Sequence, residues 1–354
     1  MSPFIQLIQT ALGLRNTLDD KLDAETWARV FDTAKKQAVL GVTFKGIEKL
    51  PADQLPPLRT KLQWALAAEK IGQNNAEIDS HAAEITKTFE DMGIRSCVLK
   101  GQGAAMLYPW PEARQSGDID LWIDLPCRKA VPVLKQKWTV GDVFYHHADV
   151  RAFTDGTELE VHFRPSWMNS PISNRRLQRY FKSKAPEQFG NGSGKGFNCP
   201  TDAFNCVFSL IHIYRHLLQE GIGMRQLMDY CFILKSSSEP ERKAAYNFVS
   251  KLGMKKFCGA LMYALECFFA LEPESMLCPP DGRYGEFLVD EVMKSGNFGH
   301  YDSRNRYSRK QPLIIRFINR MKHLARFTGI AWSEVLWAPY FKTRQLIWRK
   351  INNY

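Results

Sequence analysis

Apolar positions fall into distinct regimes along the chain. In the first 92 residues they recur every three to four positions, as in Phe4, Ile5, Leu7, Ile8 and Leu12, in Trp27, Val30, Phe31 and Ala34, and in Leu62, Trp64, Ala65, Ala68 and Ile71. That period places them on one side of helices. The stretch Pro51 to Pro57 interrupts the pattern; beyond it a long helix is predicted over 58–92, stopped by Gly93. Between 94 and 165 the pattern shortens to β-type runs at 97–99, 119–123, 143–145, 150–153 and 159–163, with helices predicted over 102–107 and 127–136. The order β-α-β-α-β-β-β predicts an α+β fold, a small mixed β-sheet flanked by N-terminal and C-terminal helical regions. Residues 166–200 read as loop. The stretch GNGSGKG at 190–196 lacks the GxxxxGK[ST] spacing and the preceding strand of a phosphate loop. Helical spacing returns after the Thr201-Asp202 cap in FNCVFSLIHIYRHLL, and resumes in MRQLMDYCFIL after Gly221-Ile222-Gly223. Further helices are predicted over 241–271 and 284–294. The expected segments are therefore 1–92, 93–165, 166–200, 201–300 and 301–354.

Composition adds limits. The 354 residues suffice for one large or two modest domains. No run of about 18 apolar residues exists, so no membrane-spanning helix is predicted. The opening MSPFIQLIQTALGLRN lacks the basic start and cleavage site of a signal peptide. The eight cysteines form no CxxC pair and sit mostly in apolar runs, which reads as reduced core residues and a cytoplasmic setting. The net charge of +11 is concentrated at one end. From Arg304 onward there are twelve Lys and Arg residues and one acid, Glu334, so the preceding chain is near neutral. This basic tail, with Trp332, Trp337, Phe341 and Trp348, reads in three ways: a helical cap on the protein, a contact for an anionic partner such as RNA or a phosphorylated glycan, or a peripheral contact with an anionic membrane surface.

Candidate chemistry centres on 94–124. Asp118 and Asp120 are two apart on a predicted strand, so both carboxylates share one face about 7 Å apart. Such a pair repels itself unless cations lie between. Ile119, Leu121 and Ile123 point the other way, into a core. In TELEVHFRP (157–165), Glu158, Glu160 and His162 alternate with Leu159, Val161 and Phe163. Paired beside the Asp118 strand, Glu160 or Glu158 supplies a third carboxylate, and hard divalent cations take oxygen ligands together with substrate phosphates. The Lys100-Gly101 turn opens a helix directly after a strand, where glycine admits a phosphate or simply makes the turn.

The ordered string VLKG…YP…R…GDIDLWI, followed by LEVHF, resembles the polymerase-β-like nucleotidyltransferase superfamily, and most closely the bacterial family of uncharacterised nucleotidyltransferases. The helical stretch IHIYRHLLQEGIGMRQLMDY (211–230) resembles that family's helical half, extending the likeness over most of 20–270. The resemblance implies a nucleotidyltransferase core with Mg²⁺ (or Mn²⁺) held by Asp118, Asp120 and Glu160. In that role Glu160 serves the acceptor side and helps deprotonate the attacking hydroxyl. It further implies a nucleoside triphosphate cradled by Lys100, Gly101 and Gly103, with His162 as the histidine that follows the third acid. The turn departs from the superfamily pattern, reading Lys-Gly-Gln-Gly where many members have Gly-Ser.

Several residues extend this reading. Arg225 near a helix start grips a phosphate or pairs with Asp229 four residues on, and Arg114 neutralises phosphate or holds its loop. Gln226 and Asp229 are candidate substrate contacts. His212 and His216 share a helix face at metal-binding spacing or pack two helices together. The expected activity is transfer of a nucleotidyl group from an NTP to a hydroxyl or phosphate of an acceptor that the sequence leaves open. Two rivals share the fold. The spacing of Lys100, Arg114, Ser116, Asp118 and Asp120 also resembles nucleotidyltransferase toxins that modify RNA, and a non-catalytic module would bind a nucleotide or partner without turnover.

Overall fold

A computed structural model describes residues 1–305, 312–352 and 354. Of the basic tail, Arg306, Arg309 and Lys310 lie outside the described residues. Four helices come first: α1 (Pro3–Ala11), α2 (Ala24–Lys36), α3 (Leu40–Ile47) and α4 (Leu58–Asp91). The long α4 stops where Gly93 takes φ +71°, a conformation that glycine enters at little cost. Next come β1 (Ser96–Val98), α5 (Gln102–Ala105), β2 (Ile119–Ile123), α6 (Cys127–Lys137), β3 (Thr139–Val143), β4 (His147–Arg151) and β5 (Leu159–His162). The remaining helices are α7 (Pro171–Gln188), α8 (Asp202–Gln219), α9 (Met224–Ser236), α10 (Glu239–Ser250), α11 (Lys255–Phe269), α12 (Gly282–Ser295), α13 (Leu313–Ala325) and α14 (Thr328–Ile351).

The sheet is mixed, with strand order β1-β2-β5-β4-β3. β2 runs parallel to β5, and the other neighbouring pairs are antiparallel. Both faces of the central strands are buried, but by different chemistry. Ile119, Leu121 and Ile123 join Leu159, Val161, Ala148 and Val150 in one apolar cluster, covered by α4 and α6. The opposite face carries Asp120 and Trp122, and Trp122 packs on Phe189 and Phe204 of the helical half. Period-two alternation thus hands one face to the core and leaves the other for polar groups.

Three expectations are corrected. Residues 166–200 contain α7, capped by the Ser170 hydroxyl with Pro171 in the first turn. Its buried apolar positions are only Leu177 and Phe181, too few to signal a helix in a polar, basic stretch. The strands predicted at 143–145 and 150–153 lie instead at Thr139–Val143 and His147–Arg151, with an irregular register between Val140 and Val143. β3 is an edge strand, largely exposed, so its sequence carries little apolar alternation. The single helix expected over 241–271 is two, parted at Gly253, which sits at φ +86°.

Candidate active site

The parallel pairing of β2 with β5 sets Asp120 opposite Glu160 and Trp122 opposite His162. On the other flank β4 sets His147 opposite His162 and Asp149 opposite Glu160. One face of three neighbouring strands therefore carries two rows of ionisable side chains. Asp120, Glu160 and His162 each offer a ligand atom within 4.8 Å of the other two. His146, His147 and His162 form a second such group, and His147, Asp149 and Glu160 a third.

His162 is the hub. Its Nε2 lies 2.8 Å from Asp120 Oδ1 and 3.2 Å from Glu160 Oε2, and its Nδ1 lies 3.4 Å from the Arg164 carbonyl oxygen. Both nitrogens face acceptors, as an imidazolium requires. Burial opposes that charge, but the bonds to Asp120 and Glu160 outweigh it and raise the pKa from 6.5 to about 9. Burial would likewise raise the Glu160 carboxyl; the His162 bond and the nearby cationic groups prevail and hold it at about 2. Asp120 is 3% exposed, and its pKa too is lowered, because Lys100 and His162 overcome the burial.

Lys100 reaches this cluster from an unusual backbone. It lies at φ +47°, in the left-handed region, and Gly101 follows at φ +47°, ψ −108°. A lysine held there stores strain that surrounding structure must sustain, a trait concentrated at functional positions. Its Nζ lies 2.7 Å from Asp120 Oδ2. Burial disfavours the ammonium, but Asp120, Asp118 and Glu160 together push its pKa up.

Asp118 sits just before β2, half-buried. It lines a cleft between the sheet and the helical half, with Lys100, Gly101, Asp120, Arg114, His212 and Arg225 among its other walls. The loop leading to Asp118 is tethered. Asn75 on α4 donates to the Glu112 and Arg114 carbonyls at 2.8 Å each, and Ser116 Oγ sits against the side-chain oxygens of Asn75 and Gln102.

Two arginines define the far wall. Arg114 makes a two-pronged contact with Asp229 at 2.7 and 2.8 Å, and the Tyr108 hydroxyl donates to the same carboxylate at 2.7 Å. Asp229 thus pairs with Arg114 rather than with Arg225. Arg225 donates to the Gln115 carbonyl at 2.9 Å and lies over the Phe298 ring. Burial and the neighbouring Arg114 charge lower its pKa. Among the described residues, Arg114 Nη1 and Arg225 Nε are buried without a hydrogen-bond partner. Both arginines line one wall of the cleft, and charge-assisted donors of this kind are what a multiply charged anion requires.

The other expected contacts divide. Gly103 lies inside α5, buried against Cys199, and its N–H donates to the Lys100 carbonyl, so it stands off the cleft lining. His212 lines the cleft as a neutral ring, its pKa pushed well below 6.5 by burial and by Lys100. His216 points instead to Glu220, at 3.4 Å, and its ring packs 4.1 Å from that of His212. Gln226 lines the cleft while accepting the Gly223 N–H and donating to Asn297. Glu158 is exposed before β5, which leaves Glu160 as the acid beside Asp120.

The sequence profile of the uncharacterised nucleotidyltransferases matches residues 23–270, well over half of the chain. The chain belongs to the uncharacterised nucleotidyltransferase family. Among solved structures it is similar to an antigenic nucleotidyltransferase-like protein from Paracoccidioides brasiliensis, at 15% identity and a TM-score of 0.32, covering 55% of this chain and 97% of that one. No curated protein matches it.

In this nucleotidyltransferase-family chain the matched region takes in the Asp118–Asp120 strand, the Glu160 strand and the Arg225 helix. Sequence reasoning missed His146, His147 and Asp149. The i, i+2 spacing of His147 and Asp149 was the available signal, hidden because the strand was expected to begin three residues later. Phe298 and Asn75 carried no local signal; they reach the site from distant helical segments.

Proposed function

We propose that the protein is a Mg²⁺-dependent nucleotidyltransferase that moves an NMP group from an NTP to an acceptor hydroxyl or phosphate. The observation that carries this reading is the parallel register of Asp120 with Glu160 beside a cleft walled by Lys100, Arg114 and Arg225. The donor set fits a divalent cation: Asp120 and Glu160 are held ionised at low pKa, and Asp118, outside their close group, lines the same cleft just before β2. Mn²⁺ fits as well, since the same carboxylate oxygens suit either ion. Bound Mg²⁺ would neutralise phosphate charge and lower the pKa of the attacking group.

The chain's own residues do the rest. Lys100 exchanges Asp120 for a β- or γ-phosphate oxygen as the triphosphate enters. Arg225 and the spare Arg114 nitrogen hold the remaining phosphate charge. The acceptor oxygen attacks the α-phosphorus, the bond to the bridging β-phosphate oxygen breaks, and pyrophosphate leaves. Glu160 serves as an ionised ligand; a carboxylate near pKa 2 is a poor proton acceptor, so the acceptor's proton passes to solvent. His212 stays neutral beside the phosphates.

The test supplies the protein with Mg²⁺, each labelled NTP and a broad acceptor panel that includes RNA. Pyrophosphate release that disappears in Asp118→Asn and Asp120→Asn supports the reading. Nucleotide binding without release across the panel favours a binding module. One observation lends that rival weight: Lys100 and His162 already neutralise Asp120 from both sides. Labelling of RNA, with a growth defect on expression cured by Asp120→Ala, favours the toxin-like reading.

A further inference from the structure

The C-terminal helices leave unusually apolar faces in water. On α14, Trp332, Leu336, Tyr340, Ile347 and Ile351 succeed one another at spacings of four, four, seven and four, which lines them along one side. Trp332 is 61% exposed, Leu336 65% and Ile351 73%. The opposite side, with Ala331, Glu334, Ala338 and Phe341, is the one packed on the protein. On α13, Ile314, Ile315, Phe317 and Ile318 are exposed as well. Most of the exposed large apolar side chains of the described residues thus belong to the last two helices, and single soluble chains rarely present so continuous an apolar surface.

The exposed charge that these two helices themselves carry has one sign, with Arg349 of α14 paired to Asp142 of β3 at 2.7 Å. Arg316, Lys322, Arg344 and Lys350 are exposed on the same two helices. The sole acid in the segment, Glu334, is buried and bonded to Arg215 and to the Asn169 and Ser170 amides, so it offers no negative charge to solvent. Lys342 is exposed on α14 as well. A helical cap would bury the apolar side; an RNA contact would not need Ile314, Leu336, Ile347 and Ile351 in water.

We infer that α13 and α14 dock the protein in-plane on an anionic lipid bilayer, the exposed Trp, Leu and Ile side chains entering the headgroup–acyl boundary and the flanking Lys and Arg residues facing lipid phosphates. Charge complementarity selects this occupant, and amphipathic helices with basic rims and Trp at the boundary bind bilayers in this manner. Among the described residues no helix is long and apolar enough to cross a membrane, so the contact is peripheral. The docked helices adjoin the candidate site: Phe341 packs on Trp167, whose ring lies 3.9 Å from that of His146.

The experiment is co-sedimentation of the full chain with vesicles of equal parts phosphatidylcholine and phosphatidylglycerol, beside pure phosphatidylcholine. The wild type is expected to pellet with the anionic vesicles and remain soluble with the neutral ones. Trp332→Ser/Leu336→Ser/Ile347→Ser, altering only exposed positions, is expected to lose binding about tenfold or more with an unchanged Tm. Arg344→Gln/Lys350→Gln is expected to weaken it and to flatten its salt dependence. Equal pelleting of wild type and the triple serine variant overturns the inference. So does a wild type that ignores both vesicles, whether it instead binds homopolymeric RNA or forms a dimer that the serine substitutions disperse. Vesicle binding is scored without nucleotide or Mg²⁺, so the result is independent of the proposed activity.

Discussion

Lys100 Nζ lies 2.7 Å from Asp120 Oδ2, so the carboxylate expected to hold a metal is paired with the lysine expected to hold a phosphate. With His162 on the other oxygen, Asp120 is neutralised from both sides before any ligand arrives. Lys100→Met removes one competitor. Mn²⁺ affinity of the nucleotide-free protein is expected to rise about tenfold, while kcat/KM for NTP-dependent pyrophosphate release falls by at least as much. Mn²⁺ titration followed by paramagnetic resonance reads the first; unchanged affinity would show that the lysine does not guard the site.

The His162 imidazolium gives stability a definite pH window. Its folded pKa of about 9 lies above the ordinary 6.5, so its contribution is full below pH 6.5 and is lost as pH rises through 9. Glu160 acts in the other direction: near 2 when folded against an ordinary 4.5, it contributes above pH 4.5 and loses this as pH falls through 2. The Tm of the metal-free protein is therefore expected to decline between pH 6.5 and 9. In His162→Gln that slope flattens. A wild-type curve level across this interval refutes the charged-hub description.

The buried Arg114–Asp229 pair ties the Asp118 loop to α9. Arg114→Met leaves the Asp229 carboxylate with the Tyr108 hydroxyl, and removing one member of a buried pair costs about 3–5 kcal/mol. Arg114→Met/Asp229→Leu is expected to cost less than the sum of the single changes. Chemical denaturation of the four proteins tests this; strict additivity would mean the pair is not coupled.

Arg225 is different, since its only hydrogen bond among the described residues is to the Gln115 carbonyl and burial already lowers its pKa. Arg225→Gln is expected to raise KM for the NTP about tenfold or more, with Tm shifted little and kcat largely kept. Steady-state kinetics with the preferred NTP decides it. A fall in kcat at constant KM would move Arg225 from triphosphate binding to the chemical step.

Much of this arrangement was legible in the residues. The alternation in GDIDLWI and LEVHF is a local property, so it placed Asp120, Glu160 and His162 on polar faces opposite Ile119, Leu121, Val161 and their neighbours. The same arithmetic placed the long α4 and its glycine stop. It failed for α7 and β3, where exposure on one side leaves little apolar signal to read.

Sequence by itself determined the family, the β-α-β-α-β-β-β order and the acids available, because period-two and helical spacing follow from backbone geometry within a few residues. Tertiary structure decided the partners. It set Asp120 beside Glu160 through a parallel register between strands some forty residues apart, gave Asp229 to Arg114 rather than to its helix neighbour Arg225, and brought His147 beside His162. It also left the apolar side of α14 in water. These choices depend on which elements pack together, and packing is settled by the burial of the whole chain, to which no short window of sequence has access.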